Sequence, residues 1–139
     1  MLSGAAAEPG VKAEFVGGTV SGIAARQGFR LDLTAAETLY FRSGKTGFGI
    51  AYHKINTVEY GQHVSRRYAE AVLISPLLLL AKSRRHFVTI GYLDEEGRQQ
   101  ALVFRVHKGD IRSVLAGLEA RTGRRIEFQD NEARKAGKG

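Results

Sequence analysis

The stretch from His86 to Phe128, HFVTIGYLDEEGRQQALVFRVHKGDIRSVLAGLEARTGRRIEF, decides the fold. Phe87 to Leu93 and Gln99 to Val106 are short runs of β-branched and aromatic residues, separated by Asp94-Glu95-Glu96-Gly97. Two such runs about an acidic turn with glycine predict a β-hairpin. Its inward set is Phe87, Thr89 and Gly91 or Val88, Ile90 and Tyr92 on the first strand. On the second it is Leu102, Phe104 and Val106 or Ala101, Val103 and Arg105, and this strand decides more sharply. Asp110 is placed to cap a helix whose apolar stripe is Ile111, Val114, Leu115 and Leu118, at i, i+3, i+4 and i+7. Gly123 sits where a left-handed C-cap belongs. Gly117 costs that helix about 1 kcal/mol relative to alanine, which suggests close approach to a sheet. Arg124 to Phe128 then read as a short strand.

Working outward to the N-terminal side, alternation recurs. The glycines Gly17, Gly18 and Gly22 loosen the first segment, so only a short edge strand is expected, around Thr19 to Ala24. Phe29, Leu31 and Leu33 alternate with Arg30 and Asp32, which puts them on one face of a strand. Leu39 and Phe41 continue the pattern after the connection Thr34–Glu37. Phe48, Ile50 and Tyr52, then Val58 and Tyr60, follow the turn near Gly44, giving four strands in a meander.

The run AEAVLISPLLLLA, Ala69 to Ala81, differs in being almost wholly apolar. Val72, Leu73 and Ile74 suit a buried strand. Ser75 as N-cap and Pro76 at the first helical position suit a short helix over 76–84. The run is shorter than the roughly 20 residues a bilayer-spanning helix needs. Basic residues flank it, Arg66 and Arg67 before and Lys82, Arg84 and Arg85 after.

At 139 residues the chain fits one domain with a core of ordinary size. Seventeen glycines against two prolines favour turns and strands over long helices. The expected division is a disordered lead over 1–14, a single domain over 15–128 and a basic disordered tail over 129–139. Without cysteine there is no disulfide framework and no thiolate metal site. Residues 66–139 carry fifteen basic and nine acidic side chains, against six and five before them. That imbalance suits an anionic partner, with a solvated basic surface as the bland alternative. The lead lacks a basic n-region and a long apolar segment, so the compartment is cytoplasmic by default. Ala5, Ala6 and Ala7 before Glu8 resemble the end of a cleavage site, and export follows if they are the remnant of a signal peptide.

Seven short strands followed by one amphipathic helix is the order of a pleckstrin-homology-like domain. The resemblance is carried by LDLTAAETLYF from Leu31 to Phe41, IAYHKINTVEYG from Ile50 to Gly61, and the hairpin from His86 to Val106. Ile50-x-Tyr52-x-x-Ile55-x-x-Val58-Glu59 resembles the third-to-fourth strand junction of bacterial members. The resemblance spans residues 28–123. It implies a mainly β fold, a partly open barrel of about seven antiparallel strands capped by a C-terminal helix, and a role in binding lipid head groups or proteins. The turn Thr34–Glu37 carries no Lys or Arg, so it lacks the basic pattern of phosphoinositide-specific members.

No catalytic constellation emerges. Gly44-Lys45-Thr46 resembles the end of a phosphate-binding loop, but Leu39 replaces the required glycine and a strand follows, so a hairpin turn is expected. His53, His63, His86 and His107 lack metal-ligand spacing, and no metal, cofactor or enzymatic activity is assigned. The carboxylates Asp94, Glu95 and Glu96 lie in an exposed turn. The expectation is therefore a non-enzymatic binding module. Leu77, Leu78, Leu79 and Leu80 dip into a membrane interface while Arg66, Arg67, Lys82, Arg84 and Arg85 face anionic lipid. Alternatively, the same leucines form a homo-oligomeric or protein-partner patch, or pack in the core or over a sheet edge. Nucleic acid ranks last as a partner, because Tyr68, Phe87 and Tyr92 form no ordered aromatic-basic platform.

Overall fold

A computed structural model of the chain describes residues 10–19, 28–44, 46–63, 73–74, 86–130 and 133–135. The protein is mainly β. Its strands are β1 (Val11–Gly18), β2 (Gly28–Asp32), β3 (Thr38–Ser43), β4 (Thr46–Ala51), β5 (Ile55–Gly61), β6 (Leu73–Ile74), β7 (Phe87–Leu93), β8 (Gln99–Val106) and β9 (Glu127–Phe128). One longer helix, α1 (Ile111–Thr122), follows β8. The sheet is open, in the order β4-β3-β2-β1-β8-β7-β5-β9, with β6 paired to β1 off this path.

The expected hairpin forms, paired from Phe87 opposite Arg105 to Leu93 opposite Gln99. Asp94 builds its turn: the Gly97 N–H donates to the Asp94 carbonyl, and the Glu96 and Arg98 N–H groups donate to Oδ1. Those bonds, led by one from the Gln100 carboxamide, hold the Asp94 carboxyl below its ordinary value of 3.8. Gly97 has φ of 78°, the left-handed region where a side chain is strained.

Both alternatives for the first hairpin strand prove to be buried. Val88 and Ile90 join Leu102, Phe104 and Val106 in the main core, with Tyr92 packed against its margin. Phe87, Thr89, Ala101 and Val103 are also buried, outside that cluster. Register places them on the opposite face, alongside Gly17, Thr57 and Gly61. A strand buried on both faces has no polar alternation to read, which is why its sequence left the inward set undecided.

Strand β1 departs most from expectation. It begins at Val11, inside the stretch expected as the lead, and ends at Gly18; of the edge strand expected around Thr19 to Ala24, residues 20–24 lie outside the described residues. Rather than lying at an edge it pairs with β2 on one side and β8 on the other. Ala13 and Phe15 enter the core. Between Phe15 and Gly17 the register shifts, and Gly17 and Gly18 pair with Ile74 and Leu73 of β6. Glycine suits the close approach at Gly18, where a Cβ would lie 3.0 Å from the Ala101 carbonyl oxygen.

The expected meander breaks at Tyr52–Lys54, one turn of 3-10 helix. Tyr52 is buried there and donates its backbone N–H to the Glu37 carbonyl at 2.9 Å. The turn redirects the chain, so β5 pairs with β7 instead of β4. Among the described residues the strands number nine, where about seven are expected, and β5 and β9 run parallel. Of the segment Val72–Ile74, Leu73–Ile74 is strand; the short helix expected over 76–84 lies outside the described residues.

An aromatic cluster ties the two parts of the sheet together. Phe41 stacks on Phe48 with centroids 4.7 Å apart and meets Phe104 edge-on at 5.7 Å. Each such pair adds about 1 kcal/mol beyond area burial. Helix α1 buries Ile111, Val114, Leu115 and Leu118, as its spacing predicts. Asp110 occupies the N-cap position, but its side chain makes no capping hydrogen bond. Gly123 supplies the left-handed C-cap, φ 70°. Gly117 faces Leu33, and Arg121 donates to the Leu33 and Thr34 carbonyls at 3.1 and 3.3 Å, fixing the helix against the β2–β3 connection.

The tail also begins within the domain. The Gln129 N–H donates to the Tyr60 carbonyl, and its carboxamide donates to Glu59 and to the His63 carbonyl. Ala133 is buried in the core cluster.

A candidate binding surface on the β3–β4 hairpin

The residues singled out by sequence, Arg66, Arg67, Leu77, Leu78, Leu79, Leu80, Lys82, Arg84 and Arg85, lie outside the described residues. The sheet defines where their segment joins it. The chain leaves β5 at Gly61, pairs with β1 at Leu73–Ile74 and enters β7 at Phe87. At that entry the Tyr60 hydroxyl and His86 Nδ1 share a hydrogen bond. Burial, with Lys108 and His107 nearby, holds the His86 imidazole below its ordinary value of 6.5. A neutral ring leaves Nδ1 able to accept from the tyrosine hydroxyl.

The described surface with a binding-site character is the solvent face of β1 to β4. A cleft of about 290 Å³ opens on the β3–β4 hairpin, lined by Tyr40, Arg42, Gly44, Gly47, Phe48 and Gly49 together with Phe41. Gly49 and Gly47 are exposed and keep this face flat. Tyr40 lies across Gly49, where a Cβ would come within 3.0 Å of the ring. The Arg42 guanidinium stacks over the Tyr40 ring at 4.5 Å from its centroid. Its Nε lies 3.5 Å from Asp32 Oδ2.

Asp32 is the buried anchor of this arrangement. The Thr34 hydroxyl and the Thr34 N–H donate to its Oδ1. These bonds, Thr34 first and Arg42 after, hold the carboxyl below its ordinary value of 3.8 despite burial. Asp32 thus stays ionised and orients Arg42, whose side chain remains 49 % exposed. Stacked and ion-paired, the guanidinium is pre-oriented and can offer its outer N–H groups to a carboxylate or phosphate.

Register adds what spacing could not show. Lys12 lies opposite Arg30, Arg30 opposite Arg42, and Arg42 opposite Gly47. Three cations therefore stand in one cross-strand row on three adjacent strands. Like charges directly opposite one another destabilise a sheet, so this row carries a stability cost and draws anions. The sequence showed Arg30 and Asp32 alternating with apolar residues. It could not show that Arg30 meets Arg42, and Lys12 had been placed in the lead.

Among the described residues no group of three or more His, Asp or Glu side chains is arranged to hold a metal ion, and no helix is long and apolar enough to cross a membrane. No protein-family model matches the chain, and no curated protein matches it.

Proposed function

We propose that the protein is a non-enzymatic binding module of pleckstrin-homology-like architecture that associates with an anionic membrane surface. Strand order supports the architectural part: the meander β1 to β4 continues through β1 into β8, β7 and β5, and helix α1 follows β8. The functional part rests on one observation. Leu73–Ile74 pairs with Gly17–Gly18, so the chain is tied to the sheet three residues before Leu77. Leu77 to Leu80 supply apolar side chains for the interface, and Arg66, Arg67, Lys82, Arg84 and Arg85 supply cations, each adding about 1 kcal/mol beside anionic lipid.

Vesicle sedimentation tests this. The protein co-sediments with phosphatidylserine-containing vesicles and not with neutral phosphatidylcholine, and the double change Leu78→Asp, Leu79→Asp abolishes co-sedimentation while the thermal transition is retained. Loss of the transition in that variant assigns the leucines to packing instead and refutes the proposal.

A further inference from the structure

We infer that the open edge of β4 is a docking site for an extended acidic peptide segment, which adds to the sheet as a further strand. This inference is independent of the membrane reading and concerns a different part of the sheet.

The two ends of the sheet are treated differently. At one end β5 is covered by β9, with Glu59 opposite Glu127 and Tyr60 opposite Phe128. At the other end, among the described residues, β4 pairs only with β3. Its sequence, TGFGIA, contains none of the usual protections of an exposed edge: no charge, no proline and no bulge against β3. An uncharged six-residue edge whose outer backbone N–H and C=O groups have no strand partner among the described residues is a template for strand addition.

Side-chain placement selects the guest. The cation row ends at Arg42 and meets Gly47 across the ladder, while Tyr40 meets Gly49. Because neither glycine carries a side chain, guest side chains beyond them are not separated from β3 by β4. With strands about 4.8 Å apart, β3 and a guest strand are roughly 10 Å apart, a gap that an arginine and a glutamate bridge together. A guest residue opposite Gly47 thus faces the Arg42 guanidinium, and one opposite Gly49 faces the Tyr40 ring. Acidic residues fit the first position. A second copy of this chain fits poorly, since the partner brings its own cation row and a net charge of +7 to the same edge.

The test uses the full chain, isotopically labelled, and a synthetic nonapeptide in which glutamate alternates with valine and threonine. Added peptide shifts the backbone amide signals of Thr46 to Ala51 and leaves those of β9 unchanged. N-methylation of alternate peptide amides weakens binding more than about tenfold, because ladder hydrogen bonds are lost. Lysine in place of glutamate abolishes binding. Arg42→Gln weakens it about fivefold and Lys12→Gln about twofold, both with the thermal transition retained. The inference is overturned by failure of the peptide to bind, by equal binding of the N-methylated peptide, or by shifts confined to other strands. Protection of the β4 amides by dimerisation without peptide assigns the edge to a second copy. Protection by phosphatidylserine vesicles assigns it to a membrane, and either result also overturns the inference.

Discussion

The two ends of the sheet present the same backbone chemistry and opposite solutions. β5 is shielded by the chain itself: β9 pairs with it, Phe128 packs edge-on against Tyr60 at 6.2 Å, and Gln129 bonds to Glu59 and His63. β4 has no such cover among the described residues, and its outer face is flattened by Gly47 and Gly49. A glycine near each end makes the contrast concrete. At Gly61 an added Cβ would land on the Gln129 carboxamide, whereas at Gly49 it would meet the Thr38 methyl at 2.7 Å and the Tyr40 ring at 3.0 Å. One glycine admits the segment that covers its strand, and the other admits side chains of the neighbouring strand β3.

The largest expected effect comes from uncovering the shielded end. Phe128→Ala removes the half-buried ring that clamps β9 and should cost about 2 kcal/mol, read from denaturant melts, with faster amide exchange at Glu59 and Tyr60. An unchanged melt would mean that β9 contributes little and that the ends are alike. Gly61→Val should cost about 1–2 kcal/mol through displacement of Gln129, whereas Gly49→Val should cost under about 1 kcal/mol, since the half-buried Thr38 and Tyr40 side chains can move aside. Equal losses would erase the contrast.

His86 gives the β5 side a pH dependence in the imidazole range, whereas the shifted group beside β3 and β4, Asp32, acts in the carboxylate range. Its pKa is lowered in the folded state, so the unfolded chain binds the proton more readily. The stability it contributes is complete above about pH 6.5 and is lost as pH falls through the lower folded value. His86→Gln should flatten that part of the stability profile, measured by thermal melts from pH 7.5 to 5. The smallest effect is expected from Arg42→Gln, a change within about 0.5 kcal/mol, because Asp32 keeps its bonds from Thr34 when the half-exposed arginine is lost, and a like-charge neighbour is relieved.

Sequence periodicity located the elements that are polar on one side. The helix stripe from Ile111 to Leu118 and the strands around Leu31, Phe41 and Ile50 follow alternation directly, since only one face of each is apolar. It failed where that contrast disappears or where meaning lies in pairing. Val11, Ala13 and Phe15 do alternate, but the neighbouring Gly10 and the glycine pair Gly17–Gly18 read as loop, although Gly18 sits in the strand at a close approach to β8. Tyr52 stayed in phase with Phe48 and Ile50, so a single 3-10 turn that changes the strand's partner left no mark on the pattern. The candidate surface was the least legible part. Lys12, Arg30 and Arg42 are far apart in sequence and become a row only through the registers of β1, β2 and β3.

The central place of β1 also fixes an order of assembly. It is synthesised before the other described strands, yet one of its long neighbours is β8, and the Glu14–Arg105 ion pair at 2.7 Å joins positions 91 residues apart. During synthesis Val11–Gly18 must wait, with that side unpaired, until Gln99–Val106 has emerged. Contacts so distant in sequence are closed late and at a large loop-entropy cost, so folding is expected on the millisecond-to-second scale of non-local β proteins. A ribosome-bound chain stalled before β8 should therefore remain protease-sensitive throughout β1, and should become resistant only once the hairpin from Phe87 to Val106 is complete.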